Sequence, residues 1–143
     1  MKRETEKLLE TALNQALKMT PRHNYTYGIG RRAGNRRHYS IVIQNGEVLG
    51  WGENRHDSTP PPGYPEWSRL HSECAAWSRA KRRIRKGPWQ IINIRIGKAN
   101  RVKLSKPCPC CQAFLQRMGC SGAWFTTGCD AKWAYIDLTC QYK

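Results

Sequence analysis

No run of apolar residues in this chain approaches the ~18 that a membrane-crossing helix needs, so a bilayer-spanning protein of that kind is excluded. Acids are scarce as well. Ten Asp and Glu stand against 25 Lys and Arg, a formal net charge of +15. The acids also leave wide gaps: six basic residues and no acid lie between Glu10 and Glu47, and twelve basic residues and no acid between Glu73 and Asp130. Stretches of one sign repel themselves unless a polyanion is present. A nucleic acid is therefore the favoured partner, and a merely solvated cationic surface is the alternative.

The first nineteen residues, MKRETEKLLETALNQALKM, carry charges of both signs and lack the apolar stretch and small-residue cleavage site of a secretory signal. An intracellular, cytoplasmic protein with no membrane partner is expected. Seven cysteines would suit a secreted disulfide framework, but their number is odd and three fall within four residues, at 108, 110 and 111. Reduced thiols, some of them ligating a metal, fit better. With 143 residues, 39% hydrophobic and 24% charged, the chain can bury one core, and a single domain over residues 1–143 is expected.

Leu8, Leu9, Ala12, Leu13, Ala16 and Leu17 form one stripe of an amphipathic helix over residues 4–18. A loop rich in Gly and Arg follows Pro21. Tyr39, Ile41 and Ile43 alternate with polar or smaller residues, Asn45-Gly46 signals a tight hairpin, and Val48, Leu49 and Trp51 return, giving an antiparallel pair. Four prolines, at 60, 61, 62 and 65, make a connecting loop. A second helix is predicted from Leu70 to about Arg85, ended by Gly87-Pro88. Ile91, Ile92, Ile94 and Ile96 suit a central strand buried on both faces, and a third helix should start near Cys108. The last two strands, near 122–127 and 133–138, are separated by GCDAK, too short for a parallel crossover, so they should pair antiparallel.

His71-Ser72-Glu73 opens the second helix, and Pro107-Cys108-Pro109-Cys110-Cys111 opens the third. Cys108 and Cys111 then share one helical face while Cys110 points elsewhere. One imidazole and two thiolates are ligands zinc accepts, and three protein ligands leave a fourth position for water, the catalytic pattern. Glu73, two residues beyond a ligand, is placed to exchange protons with that water without binding the metal. A zinc ribbon completed by Cys120 and Cys129 would use the same C-x-x-C, but leaves His71-Ser72-Glu73 unexplained.

H-x-E followed by P-C-x-x-C is the pattern of the zinc deaminases, and the chain resembles the cytidine deaminase superfamily from about residue 37 to 138. The resemblance implies a three-layer α/β/α fold around a five-stranded mixed sheet with its last two strands antiparallel. It also implies Zn2+ held by His71, Cys108 and Cys111, attack of activated water on C4 of cytosine or C6 of adenine, and Glu73 as the proton carrier. GWGEN at 50–54 is similar to the end of the second strand in this superfamily, which implies a sugar contact for Asn54. Trp67 and Phe125 fall in regions that line the pocket in such proteins, with core packing the alternative for Phe125. Deamination of cytosine in single-stranded DNA or RNA, DNA favoured, suits the charge, with Arg31, Arg32, Arg36, Arg37, Arg82 and Arg83 as phosphate contacts. The alternatives are a free cytidine or deoxycytidine nucleotide and adenosine in transfer RNA. The short GCDAK connection argues against the last. An inactive nucleic-acid-binding relative is a fourth possibility, disfavoured by the intact Glu73.

Overall fold

The computed structural model describes residues 3–23, 37–54, 71–97, 100–130 and 132–139. Among these, three helices and six strands follow the order α1 (Arg3–His23), β1 (Arg37–Gln44), β2 (Glu47–Glu53), α2 (Ser72–Ala80), β3 (Trp89–Ile96), β4 (Val102–Lys103), α3 (Pro109–Arg117), β5 (Cys120–Thr126) and β6 (Trp133–Asp137).

The main sheet runs β2-β1-β3-β5-β6, with β4 added to the end of β3. β1 pairs antiparallel with both β2 and β3, β3 pairs parallel with β5, and β5 pairs antiparallel with β6. The hairpin signal and the antiparallel last pair are thus both present, and Asn45 and Gly46 take the positive φ values, 52° and 77°, that a tight two-residue turn demands.

Alternation sorts the strand residues onto two faces. Tyr39, Ile41, Ile43, Ile92, Ile94 and Ile96 meet the Leu9, Ala12, Leu13 and Ala16 stripe of α1 on one side. Val42, Leu49, Ile91 and Ala123 meet Cys74, Ala76 and Ala80 of α2 and Phe114 and Leu115 of α3 on the other. The result is a three-layer α/β/α sandwich with β3 at its centre.

Three details differ from expectation. α1 continues to His23 instead of ending near 18. α2 stops at Ala80, five residues early. The Gln44 side chain takes over the backbone there: its Oε1 accepts from Arg85 N–H at 2.8 Å and its Nε2 donates to the carbonyls of Arg85, Gly87 and Pro88 at 2.8–3.3 Å. The sixth strand, β4, is two residues long and pairs antiparallel with the end of β3, shortly after Asn100 with φ 58°, within a stretch too polar to show a period.

The helix carrying the H-x-E residues lies unusually close to the sheet edge. A Cβ added at Gly52 would sit 2.2 Å from the Ala76 nitrogen and 2.7 Å from the Ser72 oxygen, and one at Gly50 would sit 3.0 Å from Ala80 Cβ. GWG on β2 and Ala76/Ala80 on α2 form a small-residue seam, and Arg79 and Arg83 lock it by donating to the carbonyls of Trp51 and Leu49 at 3.0 and 3.3 Å. Gly52→Ala must push α2 away, so a loss of about 1–3 kcal/mol is expected by urea unfolding. A variant as stable as the parent would show that the seam is not a constraint.

Candidate metal centre and active site

His71 and Cys108 occupy equivalent places, each the N-cap of a helix: His71 with φ −105°, ψ 133° before α2, Cys108 with φ −67°, ψ 162° before α3. Neither side chain caps its own helix. The first helical bonds close behind them, from Ala75 N–H to His71 O at 3.3 Å and from Gln112 N–H to Cys108 O at 2.9 Å. Trp77 of α2 packs edge-on against Phe114 of α3, centroids 5.6 Å apart, which holds the two helices in register.

The convergence predicted from the motifs is present. One donor atom each from His71, Cys108 and Cys111 lies within 4.8 Å of the others. Cys111 Sγ is 3.2 Å and Cys108 Sγ 3.9 Å from His71 Nδ1. Ligands of a tetrahedral zinc with ordinary Zn–S and Zn–N lengths stand about 3.6 Å apart, a value these two distances bracket.

The chemistry of the set also fits a cation. Cys111 is fully buried, and its thiol is held far above the ordinary range by its hydrogen bond with Cys74, by burial, and by the nearby charge of Glu73 and of Cys108. Anion-forming groups crowded into a dry site are offset by a divalent ion, which deprotonates a coordinating thiol outright. Zinc is therefore a cofactor these residues could hold. Cys110, beside them, is exposed and turned away, as its register requires.

Glu73 is 7% exposed. Its Oε2 accepts from Asn93 Nδ2 at 2.7 Å, while Oε1 has a contact at 3.5 Å, the limit of hydrogen-bonding range, with Ser72 Oγ. Asn93 is part of a buried polar group that sequence analysis missed. Ser40 Oγ donates to Asn93 Oδ1 and meets Ser72 Oγ, both at 2.7 Å. Ser105 Oγ donates to Asn93 O and accepts from Thr126 N–H, both at 2.8 Å. The signal was a polar residue inside an apolar run: Ser40 in YSIVI and Asn93 in IINIRI.

Phe125 is buried in β5, paired with Asn93 across the parallel ladder, and so projects on the same sheet face, beneath α2 and α3. Asn54 directly follows β2 and extends the β1 pairing by one residue, with Oδ1 accepting from His38 N–H at 3.1 Å and its own N–H donating to His38 O at 3.2 Å. Trp67, Arg31, Arg32 and Arg36 lie outside the described residues. Arg37 is a correction to the expected phosphate contacts: it enters the β1 ladder opposite Ile96, shares a face with Tyr39 and Ile41, and is 1% exposed, so it belongs to the interior. Arg82 and Arg83 are exposed together with Arg79, Lys81, Arg85 and Lys86, but at the far end of α2, about 14 Å along the helix from His71. The buried thiol of Cys120 is pushed up to about 12 by burial and, like Cys74, packs as a small core residue.

Fold and site together define an α/β/α sandwich of the cytidine deaminase-like kind, carrying a His/Cys/Cys group fit for zinc. Among solved structures, the chain is similar to dCMP deaminase from the cyanophage S-TIM5 in complex with dCMP and dUMP, with a TM-score of 0.51, 18% identity, and coverage of 89% of this chain and 84% of that one. The apo form of the same enzyme gives a TM-score of 0.45 at 17% identity, covering 92% and 91%. Acinetobacter baumannii RibD gives 0.46 at 12% identity, and there the match spans 85% of this chain and 28% of that one. No family model and no curated protein matches the sequence. The likeness concerns the fold.

Because the Cys111 thiol is raised, the metal-free protein keeps that proton at neutral pH and must lose it to ligate. Zinc addition at pH 7 is expected to release at least about one proton per ion, with affinity rising about tenfold per pH unit for each proton released. Calorimetry in two buffers of different ionisation enthalpy reads this directly, and uptake without proton release would exclude Cys111 as a ligand. Cys111→Ser should lower the release by about one proton per ion and cost most of the zinc affinity.

Proposed function

We propose that the protein is a zinc-dependent hydrolytic deaminase that converts cytosine to uracil in single-stranded nucleic acid, DNA being the favoured form. The observation that carries this reading is the Glu73 carboxylate, 7% exposed, near a half-buried to buried His71/Cys108/Cys111 group at two helix N-termini. The net result of the reaction is exchange of the C4 amino group for oxygen: water is consumed, ammonia leaves, and no redox partner is needed.

Zinc, when bound, supplies a Lewis acid that makes water ionise near pH 7. Glu73 takes the proton at Oε1, the oxygen Asn93 does not hold, and delivers it to the departing amino nitrogen. Phe125 offers an apolar wall to a flat base on the same sheet face, and Asn54 is the proposed sugar contact. Trp67 is proposed to close the base pocket.

The charge of +15 supports a polyanionic substrate. Arg82 and Arg83, with the exposed cations around them, and the basic loop containing Arg31, Arg32 and Arg36 are the proposed phosphate contacts. A second reading, a free deoxycytidine nucleotide, is supported by the shared fold with an enzyme whose structure holds dCMP and dUMP.

Mass spectrometry after incubation with cytidine, dCMP, and single-stranded DNA and RNA oligonucleotides at low salt separates the two. Conversion of cytosine within an oligonucleotide, with the free compounds untouched, is the expected result, and conversion of dCMP alone would make the second reading correct. Glu73→Ala should keep its zinc and lose turnover by about 10²-fold or more; an active variant would show that the proton carrier is misassigned. Oligonucleotide binding should weaken steeply from 50 to 200 mM salt, and salt-insensitive binding would remove the basic surface from the account.

A further inference from the structure

We infer that Asn93 is the positioning residue for Glu73, fixing which carboxylate oxygen is free to move protons; the inference rests on the deaminase reading above. Asn93 is 3% exposed, at the centre of β3 among Ile91, Ile92 and Ile94. An amide there is costly unless its hydrogen bonds are made. They are: Nδ2 donates to Glu73 Oε2 at 2.7 Å and to Ser105 O at 3.2 Å, and Oδ1 accepts from Ser40 Oγ at 2.7 Å.

The orientation of this amide is fixed by chemistry. Ser105 O is a carbonyl and accepts only, so the NH2 end must face it, and the same end faces Glu73. Oε2 therefore receives a short N–H bond that fixes its direction, and Oε1, whose contact with Ser72 Oγ is at 3.5 Å, is the oxygen assigned to the reacting water and the leaving nitrogen. The same residue ties together the three pieces the site is built from. It holds α2 through Glu73, β1 through Ser40, and the segment entering Cys108 through Ser105, whose hydroxyl returns a bond to Asn93 O at 2.8 Å. Glu73 cannot rotate without breaking the bond, and Asn93 cannot flip without setting oxygen against oxygen at Ser105.

A role confined to fold stability makes a different forecast, and two variants separate the cases. Asn93→Asp keeps the size of the side chain and an acceptor for Ser40, but withdraws both N–H donors and sets a second carboxylate against Glu73. Ser40→Ala breaks the same buried network while leaving the N–H on Oε2. With cytosine substrate and zinc-loaded protein, Asn93→Asp should lower kcat about 100-fold with KM within about threefold and zinc content unchanged. Ser40→Ala should stay within about threefold of the parent in both constants.

A measurement that needs neither activity nor a stable variant at position 93 runs beside these. In a ¹⁵N–¹H spectrum of the zinc-loaded parent, the Asn93 side-chain amide should exchange slowly with solvent, and one of its two protons should shift in Glu73→Gln. Exchange as fast as that of an exposed amide overturns the inference, as does a full kcat in Asn93→Asp while Glu73→Gln is inactive. Equal losses in Asn93→Asp and Ser40→Ala also overturn it, in favour of a structural role. Parent protein that converts no cytosine compound overturns the deaminase reading itself, a result distinct from all of these.

Discussion

The approach of α2 to β2 is the constraint on which the site depends. Helix and strand can touch backbone to backbone because Gly52 has no side chain where the Ala76 nitrogen passes. That contact sets the height of α2 above the sheet, and so the depth at which His71 and Glu73 emerge. A helix held one side-chain layer higher would carry Glu73 out of reach of Asn93, which is anchored in the middle of the central strand and cannot follow. The small residues of GWGEN thus do geometric work for a carboxylate twenty residues downstream.

Electrostatics give the site its second requirement. Two helix N-termini point their positive ends at one place, and the residues they present there are a carboxylate and thiols. The dipoles alone do not balance these groups, since the Cys111 thiol stays well above its ordinary value among Glu73, Cys108 and Cys74. A dication would complete the balance by drawing off the thiol protons that burial retains. Glu73 stands beside the His71, Cys108 and Cys111 group and is not one of its three donors.

Much of this was legible in the sequence. Patterns that close within a few residues were readable: the Asn45-Gly46 turn, the stripe of α1, and the H-x-E and P-C-x-x-C spacings. The antiparallel last pair followed from the length of GCDAK. What escaped depends on partners distant in the chain. The end of α2 is set by Gln44, 41 residues from Arg85, which satisfies backbone groups a helix would otherwise have claimed. The polar group around Glu73 joins residues 53 and 20 apart, so Asn93 does not stand out beside its own neighbours. Arg37 has the charge of a surface residue, and only its place in the β1 ladder puts it inside.

The anchoring of the turn after α2 by Gln44 has an entropic consequence. A cationic tail must be immobilised when it meets a polyanion, and ordering each long side chain and its backbone subtracts from the binding free energy. Here the backbone through Arg85 and Gly87 is already fixed by one buried amide, and Arg79 and Arg83 are braced against β2. The backbone at that corner and two of its guanidinium groups are therefore set in the free protein. A preset spacing favours those anions whose own charge spacing matches it.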